Sequence, residues 1–129
     1  MENSFDPHAI EETLYREWES ANWFAPSGDG TPYCIVIPPP NVTGGLHVGH
    51  ALFVTLEDLM VRRARMQGRA ALWLPGVDHA SIAAQYVLDR IVEKEGSSRA
   101  DLGRERYLER MHRFMDETRN TILAQFQRL

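Results

Sequence analysis

The thirteen residues Pro38-Pro39-Pro40-Asn41-Val42-Thr43-Gly44-Gly45-Leu46-His47-Val48-Gly49-His50 constrain this chain more than any other segment. Three successive prolines cannot donate to a helix or a sheet ladder, so they form a stiff, extended connector whose carbonyls are free acceptors. Before them, Tyr33-Cys34-Ile35-Val36-Ile37 has the unbroken β-branched character of a strand covered on both faces. After them, Ala51, Leu52, Thr55, Leu56 and Leu59 recur at helical spacing and predict a long helix from His47 to Met66, with Glu57, Asp58 and the arginines largely outward. Gly44 and Gly45 allow a sharp turn and a close ligand approach just ahead of the helix N-terminus, where N–H groups and the positive dipole end attract anions. His47 and His50, three apart, share one side of the first turn.

The rest of the pattern completes an α/β plan. Asp6-Pro7, followed by Ile10, Leu14 and Trp18, predicts an N-cap, a proline at the first helical position and a helix to about Ala21. A turn-rich loop from Pro26 to Pro32 leads into the first strand. Gly68 closes the long helix, and Ala70-Ala71-Leu72-Trp73-Leu74, ended by Pro75-Gly76, predicts a second buried parallel strand. Strand, helix and strand make a βαβ core with a right-handed crossover. A third helix is expected from about Asp78–Ser81 to Gly96, with Ile82, Tyr86, Val87 and Ile91 inward. Ser98-Arg99-Ala100-Asp101 reads as the capping box of a fourth, which carries Leu108, Met111, Phe114, Met115, Ile122 and Phe126. The 129 residues are read as one domain: 1–31 an N-terminal helix and loop, 32–96 the site-bearing βαβ-α part and 97–129 a C-terminal helix.

A formal charge of −4 argues against a chain that coats nucleic acid. Arg62, Arg63, Arg65 and Arg69 are read as solvating a helix end and favouring its negative pole. Cys34 is the sole cysteine, which excludes an internal disulfide and suggests a buried structural thiol. Trp18, Trp23 and Trp73 are read as core or interface aromatics, and Met60, Met66, Met111 and Met115 as core filling. No apolar stretch approaches the roughly 20 residues of a membrane span, and the N-terminus lacks a secretory pattern, so a cytoplasmic location without membrane contact is expected.

Ligands of open α/β sheets collect beyond the carboxyl ends of the strands. Pro38–His50 and Leu74–Ala80 both lie there and are predicted to form two walls of one crevice. The proline carbonyls, the Asn41 amide and the Asp78 carboxylate suit an ammonium group. His47 and His50 can each donate an N–H to a phosphate oxygen and stabilise a phosphorus-centred transition state. Other readings remain open: incidental histidines on a helix, zinc ligation by His47, His50, Asp78 and His79, a capping role for Asp78, and Asn41 as turn punctuation. The glycine placement favours phosphate over metal, and no metal site is expected.

Pro-Pro-Pro-Asn-Val-Thr-Gly-Gly-Leu-His-Val-Gly-His resembles the His-x-Gly-His signature of class I aminoacyl-tRNA synthetases, in the wording typical of their valine-specific members. Leu-Trp-Leu-Pro-Gly-Val-Asp-His-Ala-Ser-Ile-Ala-Ala-Gln is similar to a second block of the same family, and Phe5-Asp6-Pro7 and Asp-Leu-Gly-Arg-Glu-Arg-Tyr-Leu-Glu-Arg extend the likeness over nearly the whole chain. The resemblance implies half of a Rossmann-like nucleotide-binding fold, a short parallel sheet with flanking helices. It also implies ATP-dependent activation of valine to valyl-adenylate for ligation to tRNA(Val), with Mg2+ accompanying ATP. By position, His47 and His50 would contact ATP phosphates, Thr43 would touch phosphate and Gly49 would leave room for adenine. The Pro39 carbonyl, Asn41 and Asp78 would hold the amino group of the amino acid. Val77, Ser81 and Ala84 depart from the usual threonine, glycine and threonine beside that pocket. The family's lysine-bearing loop has no counterpart here, so the chain is expected to be a fragment with weak or no activity alone, without tRNA contact, and with apolar surface for self-association. Two alternatives are a non-catalytic nucleotide- or partner-binding paralogue or subunit, and a small-molecule nucleotidyltransferase.

Overall fold

The Asp6 side chain accepts a hydrogen bond from His8 N at 3.1 Å and so caps a single 3-10 turn, Pro7–Ala9. Ile10, at φ −126° and ψ −25°, separates that turn from helix α1, Glu11–Ser20. The expected cap and proline are present, but they start a turn and not the helix itself. The computed structural model describes residues 5–27 and 29–129, in two compact units: Met1–Ile35 with Leu59–Leu74, and Val36–Asp58 with Pro75–Leu129. Helix α2, Val48–Met66, gives its first half to one unit and its second half to the other.

In the first unit, strands β1 (Pro32–Val36) and β2 (Ala70–Leu74) form a two-stranded parallel sheet, the α/β arrangement expected of a Rossmann-like segment. Val61 and Ala64 of α2 pack with Ala71 of β2, and Tyr33, Ile35 and Trp73 close around them. Only one side of β1 is covered: Tyr33 and Ile35 are half-buried while Cys34 and Val36 are exposed, which corrects both the strand covered on two faces and the buried thiol. An unbroken apolar run marks a strand that can be covered twice, and here one helix layer meets it. The inward stripe of α2 also differs from expectation. Val54, Val61 and Ala64 are buried and Glu57 and Asp58 half-buried, whereas Leu52, Leu56 and Leu59 face outward.

The arginines do more than solvate a helix end. Arg62 lies 5.7 Å from the Trp18 ring centroid and Arg69 lies 4.6 Å from that of Tyr33. Arg65 donates to the Phe24 carbonyl at 2.9 Å and Arg69 to that of Pro32 at 3.1 Å. Phe24 in turn meets Tyr15 and Trp18. Met60 and Met66 are exposed, contrary to the core roles read for them, and Trp23, read as a core or interface aromatic, is exposed and not in the core.

In the second unit, α3 (Ser81–Lys94) packs on α4 (Arg99–Phe126) through Ala84, Leu88 and Val92 against Tyr107 and Met111, with Leu102, Phe114 and Met115 around them. The inward face of α3 is thus the stripe of small and medium residues spaced by four, and Ile82 (87 % exposed) and Tyr86 (66 %) point outward, unlike the expectation. Leu108 of α4 is exposed too, and the residue that replaces it in the core is the preceding Tyr107. Ser98 caps α4 as predicted, accepting from Asp101 N at 3.1 Å. Gly103, at φ 70° and ψ 169°, interrupts the helix after its first turn, a conformation that a side chain would strain.

A polar cluster ties the two helices together. The Tyr107 hydroxyl donates to Asp89 Oδ1 at 2.7 Å, and Arg99 donates to both carboxylate oxygens, at 3.2 and 2.7 Å. Burial pushes the Asp89 carboxyl up, but the Tyr107 and Arg99 hydrogen bonds and the guanidinium charge outweigh it and hold the group below its usual value. At the C-cap of α3, Glu95 receives a fork of two bonds from Arg110, at 2.6 and 2.8 Å.

Candidate functional site

The site begins where extended backbone meets extended backbone. Asp78 N donates to the Pro40 carbonyl at 2.9 Å and Val42 N to the Asp78 carbonyl at 2.9 Å, forming a parallel bridge between Asn41 and Asp78. The two motifs singled out in the sequence are therefore joined residue to residue. One of the three proline carbonyls is consumed in doing so, and Pro40 and Val42 are buried at the junction. Asn41 and Asp78 themselves are exposed, so their side chains stand at the surface on either side of the bridge. Asp78 Oδ1 accepts from Ala80 N at 2.8 Å. It does not cap α3: that position is Ala80, held in the left-handed region at φ 44° and ψ 48° with no side-chain cap.

His47 and His50 build the start of α2 from their own atoms. The His47 carbonyl accepts from His50 N at 2.8 Å and Ala51 N at 3.2 Å, which makes His47 the N-cap residue. Its Nδ1 accepts from Gly49 N at 3.1 Å, and His50 Nδ1 accepts from His47 N at 3.1 Å. This is the reciprocal logic of a capping box, with imidazoles in place of hydroxyl and carboxylate. Because both Nδ1 atoms are acceptors, each ring carries its N–H on Nε2, the atom left for a ligand. The rings lie 3.9 Å apart at 41°, and Phe53 meets His50 edge-on at 5.9 Å. Burial, and then the neighbouring His47, push His50 below the usual imidazole value of 6.5.

A cleft of about 420 Å³ is lined by Pro38, Pro39, Pro40, Asn41, Thr43, Gly44, Gly45, Leu46, His47, His50 and Phe53. The predicted second wall does not contribute: no residue of 75–80 lines it, although the bridge holds Asp78 beside Asn41. Gly49 is also outside the lining. Its open position serves His47, since an added Cβ would stand 2.9 Å from His47 Cε1 and 3.1 Å from Nδ1. Neither Gly44 nor Gly45 has a positive φ, so the turn does not depend on their left-handed freedom. Among the described residues no group of three His, Cys, Asp or Glu side chains is placed to hold a metal ion.

Sequence reasoning missed Phe53 and Gln125. Gln125 Oε1 accepts from Leu46 N at 2.7 Å across 79 residues of chain. The signal was available: Gln125 follows the buried Thr118 and Ile122 by seven and three positions, a polar residue on the inward stripe of α4.

The family model described as "tRNA synthetases class I (I, L, M and V)" matches residues 13–129. A "Valine--tRNA ligase" of Legionella pneumophila (strain Paris) is 46 % identical over 129 residues, which cover all of this chain and 14 % of that protein. The protein of the same name from Nitratidesulfovibrio vulgaris (strain Hildenborough) is 50 % identical over 131 residues, 100 % of this chain and 15 % of its own length. The "Valine--tRNA ligase, chloroplastic/mitochondrial 2" of Arabidopsis thaliana is 51 % identical over 121 residues, 92 % of this chain and 12 % of its own. The chain thus spans about a seventh of the length of these relatives. With the family model covering all but its first twelve residues, and a parallel α/β sheet of the expected kind, the chain belongs to the class I tRNA synthetases.

Proposed function

We propose that this chain forms the first half of a site that activates valine with ATP, giving valyl-adenylate and pyrophosphate for transfer to tRNA(Val). The observation that carries the reading is the Asn41–Asp78 bridge, which sets an amide and a carboxylate side by side next to a cleft that ends at two imidazoles. ATP phosphates lie along Thr43 and the Nε2–H groups of His47 and His50, with Gly49 leaving the His47 ring the room it needs. As negative charge grows on the α-phosphate, these donors are already oriented by the capping bonds and need little reorganisation. The valine ammonium is held by the Pro39 carbonyl, Asn41 and Asp78, which brings its carboxylate oxygen within reach of phosphorus. Mg2+ would enter as part of the nucleotide substrate and would supply positive charge to its phosphates, with no residue of this chain needed to hold it. Activity, tRNA(Val) binding and a cytoplasmic setting are readings for the longer protein; the isolated chain activates valine weakly or not at all. No helix among the described residues is long and apolar enough to cross a membrane.

The test has two arms. In the first, ATP is titrated into the chain and the imidazole and amide NMR signals are followed; shifts at His47, His50 and Thr43 are expected, and valine should move Asn41 and Asp78. In the second, valine-dependent ATP–pyrophosphate exchange is compared between the chain and a His47→Ala, His50→Ala variant. An absence of ATP-induced shifts at millimolar nucleotide, or equal measurable exchange in both proteins, overturns the assignment.

A further inference from the structure

The turn that receives the nucleotide in this reading, Gly44-Gly45-Leu46, is held by a side chain from the far end of the sequence. Gln125 is half-buried on the last turns of α4, and its Oε1 takes the Leu46 N–H at 2.7 Å. The same oxygen lies 3.2 Å from where a Cβ on Gly45 would stand, and Nε2 lies 3.5 Å from it, so the amide fits against the glycine backbone with no spare room. Its helix is fixed at this end by Ile122, which is fully buried three residues earlier. Leu46 immediately precedes the N-cap, so the orientation of its peptide decides where the His47 ring starts. We propose that Gln125 is a positioning residue for nucleotide binding: it sets the Gly44–Leu46 turn, and through it the His47–His50 pair, without itself reaching the ligand.

The proposal rests on the nucleotide reading above, and the experiment separates the two. Without nucleotide, Gln125→Leu should shift the Leu46 amide proton upfield and speed its exchange with solvent several-fold, while Gln125→Glu, which retains an acceptor oxygen, should keep the signal near its original place. With ATP, Gln125→Leu should weaken binding about fivefold, the size expected for the loss of one neutral hydrogen bond. Thr121→Ala, on the exposed side of the same helix, should change neither signal. The geometry also predicts a coupling: Gly45→Ala should weaken ATP binding in the unmodified chain but add little in the Gln125→Ala background, where its Cβ meets no amide. An unmoved Leu46 amide in Gln125→Leu overturns the positioning role, as does ATP affinity equal to that of the unmodified chain. Failure of the unmodified chain to respond to ATP overturns the nucleotide reading and this role with it, and the Leu46 signal still reports whether Gln125 holds the turn.

Discussion

Gly49→Ala should leave the fold intact and damage the site. A Cβ at this position would lie 2.9 Å from His47 Cε1 and 3.1 Å from Nδ1. Carbon atoms in comfortable contact sit about 3.5 Å apart or more, so the ring must retreat by roughly 0.6 Å. That stretches the Gly49 N–H···Nδ1 bond from 3.1 Å to beyond hydrogen-bonding range and disturbs the 3.9 Å contact with His50. His47 is exposed, so water replaces the lost acceptor and the bond costs about 0.5–1 kcal/mol. Replacing glycine by alanine near a helix start returns up to about 1 kcal/mol of backbone entropy. The two nearly cancel, and thermal unfolding should move by no more than about 3 °C. ATP binding has no such compensation. If His47 donates to a phosphate, a bond to a charged group worth about 1.5–3 kcal/mol is lost, and affinity should fall roughly ten- to hundredfold. Calorimetric titration of ATP, beside a melting curve, measures both quantities. The Gly49→Ala, His47→Ala double variant should bind no worse than His47→Ala alone, because the glycine acts only through that ring. Affinity within twofold of the unmodified chain refutes the reasoning, as does a loss of stability above about 2 kcal/mol.

Three further outcomes follow from the same structure. Tyr107→Phe removes the donor to Asp89 from a buried position and should cost about 1.5 kcal/mol, lowering the melting temperature by roughly 5 °C at neutral pH. Since Asp89 is held below its usual 3.8, the stability it contributes is present above that pH and lost as pH falls through its folded value, so the cost of Tyr107→Phe should shrink in acid; a pH-independent cost measured by denaturation counts against the cluster. Ser98→Ala should cost about 1 kcal/mol in a urea titration through loss of the α4 cap, and an unchanged midpoint would remove that assignment. His50 should titrate by NMR below 6.5; the unfolded chain then holds more protons just under that pH, so this group makes the fold less stable as the solution is acidified and contributes nothing above it, whereas a midpoint higher than 6.5 contradicts the stacked, partly buried ring.

The parts of this molecule that were legible in the sequence are those where the backbone itself is constrained. Prolines 38 to 40, the Ser98 cap and the breaks after α2 and α3 are local chemistry, and they stand where the residues place them. Facing was harder. On α2 the larger leucines mark an apolar stripe, yet the residues that pack with Ala71 of β2 are Val61 and Ala64. On α3, likewise, Ala84, Leu88 and Val92 lie inward and Ile82 and Tyr86 outside. Large apolar residues such as Leu52, Leu59 and Ile82 stay exposed in this chain, which spans about a seventh of its relatives' length, so hydrophobicity alone overcounts its core.

The candidate site shows the same division between local and distant. His47, Gly49 and His50 were readable as a helix start, and the structure adds that the two rings hold that start themselves, a detail their spacing allows but does not dictate. The bridge from Asn41 to Asp78 was foreseeable only as a shared crevice, and the 79-residue reach of Gln125 to Leu46 was not foreseen at all. Contacts of this length have no periodicity to announce them. What does announce them is a local rule broken without local benefit, such as an amide on the stripe that Thr118 and Ile122 bury. Where burying a polar side chain carries a free-energy cost, the partner that relieves it is a direct pointer to what the rest of the fold is organised to hold in place.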